Sequence, residues 1–189
     1  YFLIDQDIPN TIIGIDQRDE SRERNFQIAT DLGLNDSVSF RAEKIAELGK
    51  EKVDLAIALH ACDTATDDAI AWSINNEAQI VLVSPCCHHD LQKQIVKVAE
   101  PWSIVTKNGI LKERLGDILT DSLRAQILKL HGYRTDIVEF VGDEHTPRNL
   151  LIRSVLTKSV IEGDEKAKYK ELLNIWSVKP HLAEILNFE

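Results

Sequence analysis

The chain has 189 residues, with 31 Asp and Glu against 22 Lys and Arg, a formal net charge of −9 and 43% hydrophobic residues. A chain of this length buries roughly 70% of its unfolded surface, so one sizeable core needs neither disulfides nor metal, and the composition excludes collagen, coiled coil and disorder. The acidic balance argues against non-specific grip on nucleic acid or anionic membrane, and no apolar run nears the ~20 residues that span a bilayer.

Three cysteines, two of them adjacent (Cys86 and Cys87), do not make a secreted disulfide framework and point to a reducing, cytoplasmic setting. The chain opens on Tyr1 and contains no methionine.

The short apolar run Tyr1–Ile4 reads as the last turn of a helix. Thr11–Asp16 is a short β-branched run ending on a carboxylate, the pattern of a buried strand. Between Ser21 and Leu34 the period becomes helical, with Phe26, Ala29 and Leu32 on one face and Gly33 as the stop. Val38 and Phe40 alternate with polar residues in a strand that closes at Ala42–Glu43. Val53–Leu59 and Ala78–Val83 are near-continuous apolar runs, as in strands buried on both faces of a parallel sheet. Thr64–Asn75 lies between them as a crossover helix, with Thr64 or Thr66 as its cap. Leu91, Ile95 and Val98 mark another short helix.

A longer helix runs through Leu111, Leu115, Ile118, Leu119, Leu123, Ile127 and Leu130, and stops at Gly132. Two strands follow, Thr135–Val141 and Asn149–Thr157, and their short connection predicts antiparallel pairing. The tail from Ile161 is helical in pattern, with Pro180 opening a last turn. Alternation of strand and helix followed by a terminal antiparallel pair predicts an α/β fold with a doubly wound, mostly parallel sheet.

Ligands of such sheets sit beyond the carboxyl ends of the strands. Asp16, followed by Gln17, ends the first strand, where a carboxylate accepts ribose hydroxyls or equally caps the next helix. His60-Ala61-Cys62-Asp63 and Ser84-Pro85-Cys86-Cys87-His88-His89-Asp90 follow two strands expected to be neighbours. Three His, three Cys and two Asp would then face one crevice. Acid–base chemistry, a thiolate nucleophile at Cys86 or Cys87, and zinc are all open to these residue types. The adjacency of Cys86-Cys87-His88-His89 lacks the gaps of structural zinc sites, so no residue is assigned to a metal. The plainer alternative has the cysteines packing as small hydrophobes and the histidines capping backbone. His145–Asn149 reads as an ordinary turn rigidified by Pro147.

Gly14-Ile15-Asp16, Ala42-Glu43, Leu59-His60-Ala61-Cys62-Asp63, Cys86-Cys87-His88-His89 and Gly132-Tyr133 before a terminal hairpin together resemble class I S-adenosylmethionine-dependent methyltransferases. More narrowly, they resemble the methyltransferase-domain group with His-x-Cys and Cys-Cys-His-His strand ends, which includes eukaryotic tRNA ribose 2′-O-methyltransferases. The resemblance covers about residues 1–157 and implies a partial Rossmann-like domain there, with a helical tail over 158–189 packed on it. It implies S-adenosylmethionine as cofactor, held by Asp16 and Gln17 at the ribose, Ala42 and Glu43 at the adenine, and Leu59. It places His60, Asp63, Cys86, His88 and His89 around the transferred methyl group, with His60 or Asp63 as the base for an acceptor hydroxyl.

The family's glycine-rich loop and the strand before it have no counterpart, since only Gly14 and Gly33 precede residue 49. The expectation is therefore the back part of a longer methyltransferase, dependent on an N-terminal region of the same protein. RNA is an expected acceptor and a membrane is not, although the basic residues are dispersed. A catalytically silent methyltransferase-like binding module, with a Cys/His metal site, is the alternative.

Overall fold

A computed structural model describes residues 2–59, 61–96, 98, 100–142, 149–159 and 163–188. His60 and the turn at 143–148 lie outside the described residues. The chain forms two compact units, Tyr1–Gly49 and Lys50–Glu189.

The first unit opens with a single turn, α1 (Phe2–Asp5), then β1 (Ile12–Asp16), α2 (Asp19–Asp31) and β2 (Val38–Ala42), and ends near a 3-10 turn at Ile45–Glu47. β1 and β2 pair in parallel, and their register sets Gly14 opposite Phe40 and Asp16 opposite Ala42. Glycine is needed at position 14. A Cβ there would lie 2.5 Å from Phe40 Cδ1 and 2.7 Å from Cε1, so the ring occupies the space a side chain would fill. Along α2 only Ser21 and Ala29 are buried, while Phe26, Ile28 and Leu32 stay exposed. The helical period over 21–34 is right, but the inward face is narrower than Phe26 and Leu32 suggested.

The second unit contains β3 (Leu55–Leu59), α3 (Thr64–Asn75), β4 (Ile80–Ser84), α4 (His89–Gln94), α5 (Ser103–Thr106), α6 (Gly109–Leu130), β5 (Tyr133–Glu139), β6 (Leu150–Leu156), α7 (Glu165–Trp176) and α8 (His181–Ile185). Its sheet has the order β3-β4-β6-β5, with β3 and β4 parallel and β6 antiparallel to both neighbours. The fold is thus mixed α/β, with parallel pairing in both sheets and the expected antiparallel pair at the end.

One core holds this unit together. Ile70 of α3, Val81 and Val83 of β4, Leu123 and Ile127 of α6 and Ile152 of β6 are all fully buried. Tyr169, Trp176 and Leu182 from the tail join the same cluster, so α7 and α8 are part of the core. The runs 53–59 and 78–83 do not pack on both faces as expected. Ala56 and Ala58 face the core, but Leu55, Ile57, Leu59 and Ile80 are exposed, because α3 and α6 cover the same side of the sheet. On α6 the buried stripe is Leu119, Leu123, Ile127 and Leu128, whereas Leu111 and Ile118 face outward. No helix among the described residues is long and apolar enough to cross a membrane.

Candidate active site

In the first unit the parallel register brings the expected cofactor residues to one strand end. Asp16 and Ala42 are register partners, and Gln17 and Glu43 are the next residue of each chain segment, both exposed. The Asp16 carboxylate is engaged. Oδ1 accepts the Arg18 backbone N–H at 2.9 Å and Nε at 3.0 Å, and Oδ2 accepts Nη2 at 2.9 Å. These bonds, the side-chain ones first, hold the Asp16 carboxyl far below the usual carboxylate range. Arg18 itself is 70% exposed, so a hydroxyl-bearing ligand can replace its guanidinium at little desolvation cost.

In the second unit the loops after β3 and β4 meet, as Leu59 and Ser84 are register partners. Cys62 Sγ lies 3.3 Å from Cys86 Sγ, and Cys86 Sγ lies 3.8 Å from Cys87 Sγ. Cys62 is exposed and the other two are half-buried. Burial, reinforced by the neighbouring Cys62 and Cys87, pushes the Cys86 thiol up to about 12. A thiol in that state is a poor nucleophile at neutral pH. His88 does not activate it, because its ring points elsewhere.

His88 is buried at 5% exposure and looks onto α6. Its Nε2 lies 2.9 Å from Asp121 Oδ1, and its Nδ1 stands 3.1 Å from Asp117 Oδ1, within ion-pair reach though out of line for a hydrogen bond. Asp121 also accepts from Arg124 Nη1 at 3.2 Å. The Arg124 guanidinium, 2% exposed, then donates twice to Asp67 of α3, at 2.7 and 3.1 Å, and once to the carbonyl oxygen of Asp63, at 2.9 Å. Burial pushes the Asp67 carboxyl above its usual range against the pull of Arg124. This buried chain His88–Asp121–Arg124–Asp67 was missed in the sequence. The signal for it was there: Asp117, Asp121 and Arg124 fall on the same helical face as Leu128, where an apolar stripe leaves no other reason for charge.

Asp63 precedes α3 with a positive φ of 54°, a conformation costly for a residue with a Cβ. Three bonds fix it there. Its carbonyl accepts from Arg124 and from the Thr66 N–H, and its Oδ1 accepts the Asp90 N–H at 3.0 Å. The expected cap Thr66 instead donates its hydroxyl to the Ala61 carbonyl, tightening the same loop. His89 is exposed at the start of α4. The structure therefore gathers Asp63, Cys62, Cys86 and Cys87 with His89 nearby, and diverts His88 into the interior. Two cavities of about 260 and 300 Å³ lie at the other end of this sheet, around Asn76–Glu77 and Gly132–Lys158.

No curated protein matches the sequence. One solved structure to which the chain has some similarity is a provisionally assigned rRNA-methylase from Clostridium thermocellum. It is 13% identical, covers 81% of this chain and 74% of its own, and has a TM-score of 0.46. Residues 1–94 match a family model described as a methyltransferase domain. That match runs from α1 through Asp16, Ala42 and Asp63 to the Cys86–His88 loop and the end of α4, so the stretch of this chain that is similar to the methyltransferase domain family carries the candidate residues of each unit.

Proposed function

We propose that the protein is an S-adenosylmethionine-dependent methyltransferase whose acceptor is an RNA hydroxyl or base. The observation that carries the reading is the methyltransferase-domain match over residues 1–94, with a carboxylate, Asp16, at the end of β1 and in register with Ala42. When bound, S-adenosylmethionine supplies an electrophilic methyl group on a sulfonium with a good leaving group. The chain's own residues have four tasks.

Asp16 would hold the two ribose hydroxyls in place of the Arg18 guanidinium, a role suited to an acceptor-only group at a strand end. Ala42 and Glu43 would hold the adenine. Leu59, 55% exposed at the end of β3, gives the second unit an apolar surface at the start of the loop that carries Asp63. Asp63 is held through Oδ1 by Asp90, which leaves Oδ2 to take the proton of an acceptor hydroxyl as its oxygen attacks. RNA as acceptor is supported by the motif resemblance to enzymes acting on a tRNA ribose.

Transfer of a tritiated methyl group from the cofactor to total RNA tests the reading. Label in RNA that disappears with Asp16→Ala and with Asp63→Asn supports it. Label in protein or small molecules only would remove RNA as acceptor, and no label in any fraction would remove the activity.

A further inference from the structure

Cys62 stands 24 positions before Cys86, yet the sulfurs of Cys62, Cys86 and Cys87 all lie within 4.8 Å of one another, and no other group of three metal-ligating side chains does so among the described residues. The adjacency of Cys86 and Cys87 argued against a metal when the sequence was considered alone. The fold changes that argument, because the third sulfur comes from a different loop and closes a triangle. We propose that these three cysteines form a metal site for a thiophilic d10 cation, with zinc(II) as the ion that fits it.

The geometry agrees with this ion. Four ligands at about 2.3 Å in a tetrahedron stand about 3.8 Å from one another. The Cys86–Cys87 separation is 3.8 Å, and the Cys62–Cys86 separation of 3.3 Å needs only a few tenths of an ångström of side-chain adjustment. Both separations are well beyond the ~2.05 Å of a disulfide. Thiolate sulfur selects zinc over magnesium or calcium, which take oxygen.

The loops are held so that the sulfurs converge without the ion. Asp63, next to Cys62, is fixed by Arg124 and by the Asp90 N–H, which lies three residues beyond Cys87. The exposure of Cys62 gives the ion a route in from solvent. On binding, each S–H proton passes to solvent as its sulfur–metal bond forms, and three thiolates leave the fourth tetrahedral position open. The site does not depend on methyl transfer and stands or falls separately.

The test uses the whole chain, purified under thiol reductant and dialysed against zinc-buffered solution. Elemental analysis should find one zinc per chain. Cobalt(II) added to the metal-free chain should give thiolate-to-cobalt charge-transfer absorption and the visible bands of a tetrahedral site. Cys62→Ser, Cys86→Ser and Cys87→Ser should each weaken zinc at least as much as the roughly 10–100-fold seen for loss of a supporting residue outside the ligand set. Circular dichroism checks that the variants fold, and the cobalt spectrum of the unaltered chain decides the matter if they do not. Absence of both stoichiometric zinc and the charge-transfer band would overturn the proposal. So would a Cys62→Ser chain that binds zinc unchanged, or a mass two hydrogens lower showing a disulfide under the same reducing conditions.

Discussion

Asp63 Oδ1 accepts the backbone N–H of Asp90 at 3.0 Å across 27 positions of sequence, fastening the loop after β3 to the first turn of α4. The same residue is held at positive φ, with its carbonyl on the buried Arg124. It is thus a structural tie and the candidate base at once, and the two roles separate by substitution. Asp63→Asn keeps an oxygen to accept the Asp90 N–H but cannot take a proton. Its stability should stay within about 1 kcal/mol of the parent, while methyl transfer falls by roughly 10²–10⁴-fold. A loss of stability as large as the loss of activity would leave Asp63 a positioning residue only.

Arg124 is surrounded by Asp67 and Asp121, both about 95% buried. Removing the cation strands two carboxylates in the interior. Arg124→Met should cost about 3–5 kcal/mol in urea unfolding, since breaking a buried pair leaves an uncompensated charge. Asp67→Asn removes one of those charges and keeps an acceptor, so it should cost clearly less. Equal costs for the two variants would mean that the network does not bear on stability.

In the first unit Gly14→Ala pushes a methyl group into the Phe40 ring. The expected loss is about 1–3 kcal/mol, the range for overpacking. Phe40→Leu in the same chain should recover part of it, because the ring is what the methyl meets. No recovery would place the strain in the backbone instead.

Burial pushes both Tyr133 and Tyr169 up to about 12 from their ordinary value of 10.0. Each is an acid whose folded form prefers to stay neutral. Its contribution to stability is therefore complete below pH 10 and is lost as pH rises from 10 towards 12. Tyrosinate absorbance should show both groups ionising late, together with loss of native circular dichroism. Ionisation of all tyrosines near pH 10 in a folded chain would contradict this. The Tyr169 hydroxyl has no hydrogen-bond partner among the described residues, so Tyr169→Phe should be neutral or stabilising by up to about 1 kcal/mol.

The order of strands and helices was readable because hydrophobic period and turn residues report local structure directly. Gly132 ends α6, and the short connection before Asn149 predicts the antiparallel pairing of β5 with β6. The buried faces were less readable. Leu55, Ile57 and Leu59 look like interior residues in any strand, and only the placement of α3 and α6 on one side of the sheet leaves them exposed. The site was half legible. The residue order showed that Cys and His cluster at two strand ends, but which way each turns depends on partners far along the chain. His88 goes to Asp121, 33 positions away, and Cys86 goes to Cys62, 24 positions away. Neither distance leaves a local pattern.

Cofactor binding at the end of β1 is tested most directly by calorimetric titration with S-adenosylmethionine of the parent chain, Asp16→Ala and Arg18→Ala. The parent should bind. Asp16→Ala should lose about tenfold or more, the loss of a hydrogen bond pair to a charged group. Arg18→Ala, which frees the carboxylate, should bind at least as well as the parent. No heat from the parent at millimolar cofactor, or equal binding by Asp16→Ala, would contradict the assignment.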